Sequence, residues 1–103
     1  ITIKGFSSLT NALNEVSLVC PADQISKVPE DSILEKSGGW KLITFVAKLD
    51  FSIVGFMAKV SNVLAKEGIS IFVISTFDTD HVMVKQKHLA KAKNIIEELV
   101  KDW

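Results

Sequence analysis

Asp50 and Ser52 bracket Phe51 and lead into Ile53, Val54 and Gly55, at the junction between a strand-like run and a helix-like run. A helix start exposes backbone N–H groups with no intrahelical acceptor, and these favour an anion such as the carboxylate of an amino acid. Gly55, lacking a Cβ, lets a ligand or a neighbouring backbone come close. Further along, Asp78 and Asp80 flank Thr79. A carboxylate at Asp50, Asp78 or Asp80 can accept hydrogen bonds from an ammonium group. Each residue also has a plainer reading: Asp50 and Ser52 as helix caps, Gly55 as a packing glycine, and Asp78-Thr79-Asp80 as a hairpin turn.

Other chemistries find less support. Asp78, Asp80 and His81 cluster in sequence, but a metal needs at least three suitably aimed ligands and no second cluster completes the set. His81 and His88 have no serine or cysteine placed as a nucleophile and read as solvent-facing histidines. Neither catalysis nor any metal or cofactor is implied. Cys20 is the single cysteine, so it reads as a small apolar residue at a strand end. The twelve basic residues are all lysine and are balanced by twelve acidic ones. Without guanidinium groups or net positive charge the chain lacks the usual equipment for nucleic acid or for bidentate phosphate binding. No apolar run approaches the roughly 20 residues that cross a bilayer, and no secretory leader is evident, so no membrane contact and a cytoplasmic location are expected.

The candidate residues must be held by elements that the periodicity of the 103-residue chain outlines. Trp40 to Leu49 alternates as a strand, with Ile43, Phe45, Ala47 and Leu49 on one face. Ile53, Phe56, Met57, Val60, Val63 and Leu64 recur at three- and four-residue spacing through Lys66, and Gly68 supplies a stop. Ile69 to Thr76 is apolar on both faces, so it needs cover on both sides, one of them a second sheet or a partner subunit. Residues 77–80 read as a turn, and His81 to Lys85 alternates with Val82 and Val84 inward, so the two strands form an antiparallel hairpin. From about Lys87, a helix is spaced by Leu89, Ala92, Ile96 and Leu99. Residues 1–39 are less regular: a short strand at Ile1–Lys4, a two-turn helix capped by Ser7 or Ser8 that buries Leu9 and Leu13, and a buried strand at Val16–Cys20. Residues 21–39 read as a linker, with a helical turn near Ser32–Lys36.

Strand, helix, strand, strand, helix, with one more strand from Val16–Cys20 or from another chain, gives a split βαβ sheet covered by helices on one face. The stretches Leu49-Asp50-Phe51-Ser52-Ile53-Val54-Gly55, Glu67-Gly68-Ile69-Ser70-Ile71-Phe72 and Ile74-Ser75-Thr76-Phe77-Asp78-Thr79-Asp80 are similar to the ACT domain. The branch it resembles holds small stand-alone microbial ACT proteins and the CASTOR-type arginine sensors, with aspartokinase regulatory domains more remote. The resemblance implies an α+β, ferredoxin-like βαββαβ fold over residues 40–103, preceded by a partial ACT-like unit at 1–20. It adds Ile74, Ser75 and Thr76 to the candidate ligand site. It also implies a non-enzymatic regulatory domain that takes a small molecule such as an amino acid, and pairs as a homodimer or higher homo-oligomer. A self-associating domain with no ligand is the alternative.

Overall fold

A computed structural model describes residues 3–45, 53–76 and 79–101. The chain divides into two compact units, Ile1–Gly38 and Gly39–Trp103.

The second unit carries the expected order: β3 (Trp40–Phe45), α1 (Ile53–Lys66), β4 (Ile71–Ser75), β5 (Asp80–Lys85) and α2 (Leu89–Lys101), with a 3-10 turn at Gln86–His88. The three strands form one antiparallel sheet in the order β3-β5-β4, so the last strand lies between the first two. This is the α+β, ferredoxin-like arrangement expected from the strand and helix order. Val16–Cys20 does not supply a further strand to it, because Val16–Val19 pairs elsewhere.

Alternation puts Val82 and Val84 on one face of β5, where both are fully buried. Phe56, Val60 and Leu64 of α1 and Ala92 and Ile96 of α2 join them in one apolar core, and Ile43, Phe45, Ile71 and Leu89 pack at its margin. Helix α1 ends as Gly68 predicts. Gly68 has φ +70°, its N–H donates to Ala65 at 3.0 Å, and the Ile69 N–H donates back to Leu64 at 3.0 Å. This pair of bonds is a Schellman closure, and it turns the chain so that Ile69, also buried, enters the core.

The first unit corrects several expectations. Residues 7–13 do not form a helix; β1 (Ser8–Asn11) pairs antiparallel with β2 (Val16–Val19). Leu9 and Leu13 are not buried but 69% and 97% exposed, and β2 is largely exposed as well. A two-turn helix is too short to hold itself together without packing. Its backbone bonds are instead made by a hairpin closed by the Ala12 N–H donating to the Glu15 carbonyl at 2.8 Å. Residues 3 and 4 are not strand. In the segment after Cys20, 3-10 turns occupy Ala22–Lys27 and Glu30–Ser32, so the expected turn comes slightly earlier than Ser32–Lys36. Pro21 folds back on Gly5, where φ is +85° and a Cβ would meet the proline ring at 2.9 Å. Only glycine fits there.

Candidate functional site

Phe45 of β3, Ser75 of β4 and Asp80 of β5 lie together at one end of the described sheet. Phe45 and Ser75 are both paired with Asp80, which is therefore flanked on each side. The first turn of α1 lies over the same end, because the Phe45 and Phe56 rings meet edge to face with centroids 5.1 Å apart. Asp80 shares its side of β5 with Val82 and Val84, so its carboxylate sits on the helix-covered face beside Phe45.

Asp80 is not a turn residue, as its sequence neighbours imply, but the first residue of β5, and only 9% exposed. Among the described residues its carboxylate has no hydrogen-bond or ion-pair partner. No fully enclosed side-chain nitrogen or oxygen lacks a partner among those residues, so the carboxylate oxygens retain a path to solvent. A carboxylate at the margin of an apolar core, open to solvent and without a partner among the described residues, is available to meet a cation.

On the opposite face a polar chain crosses the sheet. His81, expected at the surface, is 6% exposed, and it faces Thr44 on β3 and Ile74 on β4. Its Nδ1 lies 2.9 Å from Thr44 Oγ1 and its Nε2 lies 2.8 Å from Thr79 Oγ1. Thr79 Oγ1 is in turn 2.7 Å from Thr76 Oγ1. The mouth of the hairpin is closed by the Thr76 N–H donating to the Thr79 carbonyl at 2.8 Å, and the Thr76 hydroxyl is 3.0 Å from the same carbonyl.

Of the eleven candidate residues, this end of the sheet gathers Ile74, Ser75, Thr76 and Asp80. Ile74 is half-buried, and Ser75 and Thr76 are exposed. Ile53, Val54 and Gly55 form the first turn of α1. Asp50, Phe51, Ser52 and Asp78 lie outside the described residues. Sequence reasoning passed over Thr44, Thr79 and the burial of His81. The only available signal was that Thr44 and His81 each sit in an alternating run, and register alone makes them opposite neighbours.

Residues 35–98 match the ACT domain. The chain belongs to the ACT domain family. Among curated proteins, this ACT domain is 29% identical over 85 residues to the human "Cytosolic arginine sensor for mTORC1 subunit 1" and 31% identical to its mouse counterpart. Those matches take in 80% of this chain but only 26% of the relatives, so it spans about a quarter of their length. Among solved structures it is similar to the protein Atu0741 from Agobacterium tumefaciens, at 34% identity and TM-score 0.76, covering 91% of this chain and 66% of that one. It is also similar to VC0802 from Vibrio cholerae, at 27% identity and TM-score 0.68, covering 86% of this chain and 65% of that one. The match places the ACT domain in a family of small-molecule-binding regulatory domains. Among the described residues, no helix is long and apolar enough to cross a membrane.

Proposed function

We propose that this ACT domain binds a free amino acid at the end of the sheet where α1 begins, and that occupancy acts on a partner through domain or subunit pairing. The carrying observation is the buried Asp80 carboxylate with no partner among the described residues. Asp80 meets the ligand's ammonium or another cationic group, while the N–H groups that open α1 meet its α-carboxylate. Asp50 to Ser52, Asp78 and Thr76 complete the ligand contacts in this reading. With no arginine in the chain, the α-carboxylate is held by backbone dipoles or by a lysine acting as a point charge. The names of the curated relatives make L-arginine the first amino acid to try.

A thermal-shift screen of the twenty amino acids tests the reading, with Asp80→Asn as control. Stabilisation by at least one amino acid at millimolar concentration, lost in the variant, is expected. No stabilisation by any of them overturns it. Residues 1–20 are read as part of a companion ACT-like unit, in keeping with a structural likeness to Atu0741 that reaches well beyond residues 35–98.

One observation favours a second reading. Phe72 and Val73 point to opposite faces of the edge strand β4 and are 46% and 42% exposed. Apolar side chains on both faces of an open edge suit pairing with another sheet. A purely self-associating domain shows the same dimer by sedimentation whether or not amino acids are present.

A further inference from the structure

We propose that helix α2 lies along the groove between α1 and α2 of a second copy of this chain, the two copies being related by a two-fold axis beside Asn94 and Ile95. This pairing is independent of the amino-acid reading.

Between Asp80 and Glu97 the chain carries Lys85, Lys87, Lys91 and Lys93 and no acidic residue; the acids resume at Glu97 and Glu98. On α2, Lys91 and Lys93 thus occupy the first half and Glu97 and Glu98 the second. That order runs against the helix dipole, which favours anions at the start and cations at the end, and of the described charges on α2 only Lys101 in the last turn follows the preference. The polarity gains nothing inside one helix, but it is self-complementary: an identical helix laid antiparallel sets its basic half against the acidic half of the first.

Lys91 and Glu98 are seven residues apart, close to two turns, and Ile95 comes four after one and three before the other, so the three share one stripe. The stripe borders an open groove of about 400 Å³ lined, among the described residues, by Val63 of α1 and by Asn94, Ile95, Glu98 and Leu99 of α2. Val63, Ile95 and Leu99 are only half-buried in the single chain, and the ridge of a second helix covers their open sides. A two-fold axis midway between Lys91 and Glu98 brings each Lys91 level with the other copy's glutamate and sets the two Asn94 amides face to face, each able to donate and to accept. Lys91 already meets Glu67 at 3.1 Å and Glu98 meets Lys101 at 3.2 Å, both pairs being exposed. An ammonium with three donors and a carboxylate with two oxygens have capacity for a further contact each. Twelve basic residues against twelve acidic ones leave no net charge to oppose the approach of two copies. Helices of 14 and 13 residues side by side offer a layer about 20 Å long and about 20 Å wide, at the small end of specific interfaces, so the pairing is a reversible micromolar equilibrium.

The experiment is sedimentation of the full chain from micromolar to submillimolar concentration, with no amino acid present. A monomer–dimer equilibrium is expected, weakened by roughly tenfold or more in Lys91→Glu and in Glu98→Lys, since each reversal turns both symmetric contacts repulsive, and restored in the double variant. Circular dichroism shows that the exposed substitutions leave the fold intact. Under mild oxidation in a Cys20→Ser background, Asn94→Cys is expected to form a disulfide between copies and Lys93→Cys, outside the groove, is not. A chain that stays monomeric throughout, a dimer indifferent to both reversals or not restored by combining them, or a cross-link through residue 93 and not 94, overturns the pairing; the indifferent dimer would point to the open edge of β4 instead. Dimerisation through α2 with no response to any amino acid supports the pairing and removes the ligand reading, whereas ligand stabilisation of a chain that never dimerises does the reverse.

Discussion

The Nδ1 atom of His81 lies 2.9 Å from Thr44 Oγ1, joining the central strand β5 to the edge strand β3 on the face away from the helices. Because the ring is almost wholly buried, this bond is made where water cannot replace it. Thr44→Val should therefore remove this buried hydrogen bond and cost about 1–3 kcal/mol, with Thr44→Ser costing less. Urea unfolding of the three proteins measures the difference, and equal midpoints for valine and wild type would show the bond to be energetically idle.

Asp80 is expected to behave in the opposite way. A carboxylate without a partner among the described residues contributes little to stability where it sits, so Asp80→Asn should keep the fold at or above its original stability while abolishing any stabilisation by amino acids. Melting curves with and without L-arginine separate the two effects. A variant that loses stability but keeps its ligand response would assign Asp80 to the scaffold.

Leu64 is fully buried among Val60, Val82 and Val84 at the centre of the core. Truncation to alanine should cost about 2–5 kcal/mol, a large share of the roughly 5–15 kcal/mol that holds a domain together. Calorimetry should show a drop in melting temperature of about 8 °C or more, by the order-of-magnitude rule that 1 kcal/mol shifts a domain of this size by about 4–8 °C.

Gly68 has a positive φ but open space where a Cβ would stand. Gly68→Ala should thus cost only the backbone penalty, about 1–2 kcal/mol, with Gly68→Asn milder because asparagine tolerates the left-handed region. Denaturation followed by circular dichroism reads both. A cost well above that range would point to a contact at the helix end.

The exposed pair Lys91–Glu67, at 3.1 Å, links α2 to the end of α1. Both side chains are more than half-exposed or close to it, so Lys91→Ala should change stability by less than about 1 kcal/mol at physiological salt. A larger effect in low-salt unfolding that vanishes as salt is added would still fit this pair.

The elements between Trp40 and Lys101 were legible because each turns one face to a single core, and a single core imposes a single period on each element. The stripe Phe56, Val60, Leu64, the alternation Val82, Val84 and the glycine stop at Gly68 each follow from one residue's relation to its near neighbours in the chain. Residues 1–20 misled because apolar residues there carry no such obligation: Leu9 and Leu13 are exposed, and hairpin pairing outweighed a local spacing that looked helical. The candidate site divides in the same way. That Asp80 is a carboxylate near a helix start was written in the order of residues. That it is buried with no partner among the described residues, and that His81 joins Thr44 to Thr79 and Thr76, was decided only when β5 entered the sheet between β3 and β4. Sequence specifies which groups alternate along a strand, whereas register between strands, set by the packing of the whole unit, chooses which of them meet.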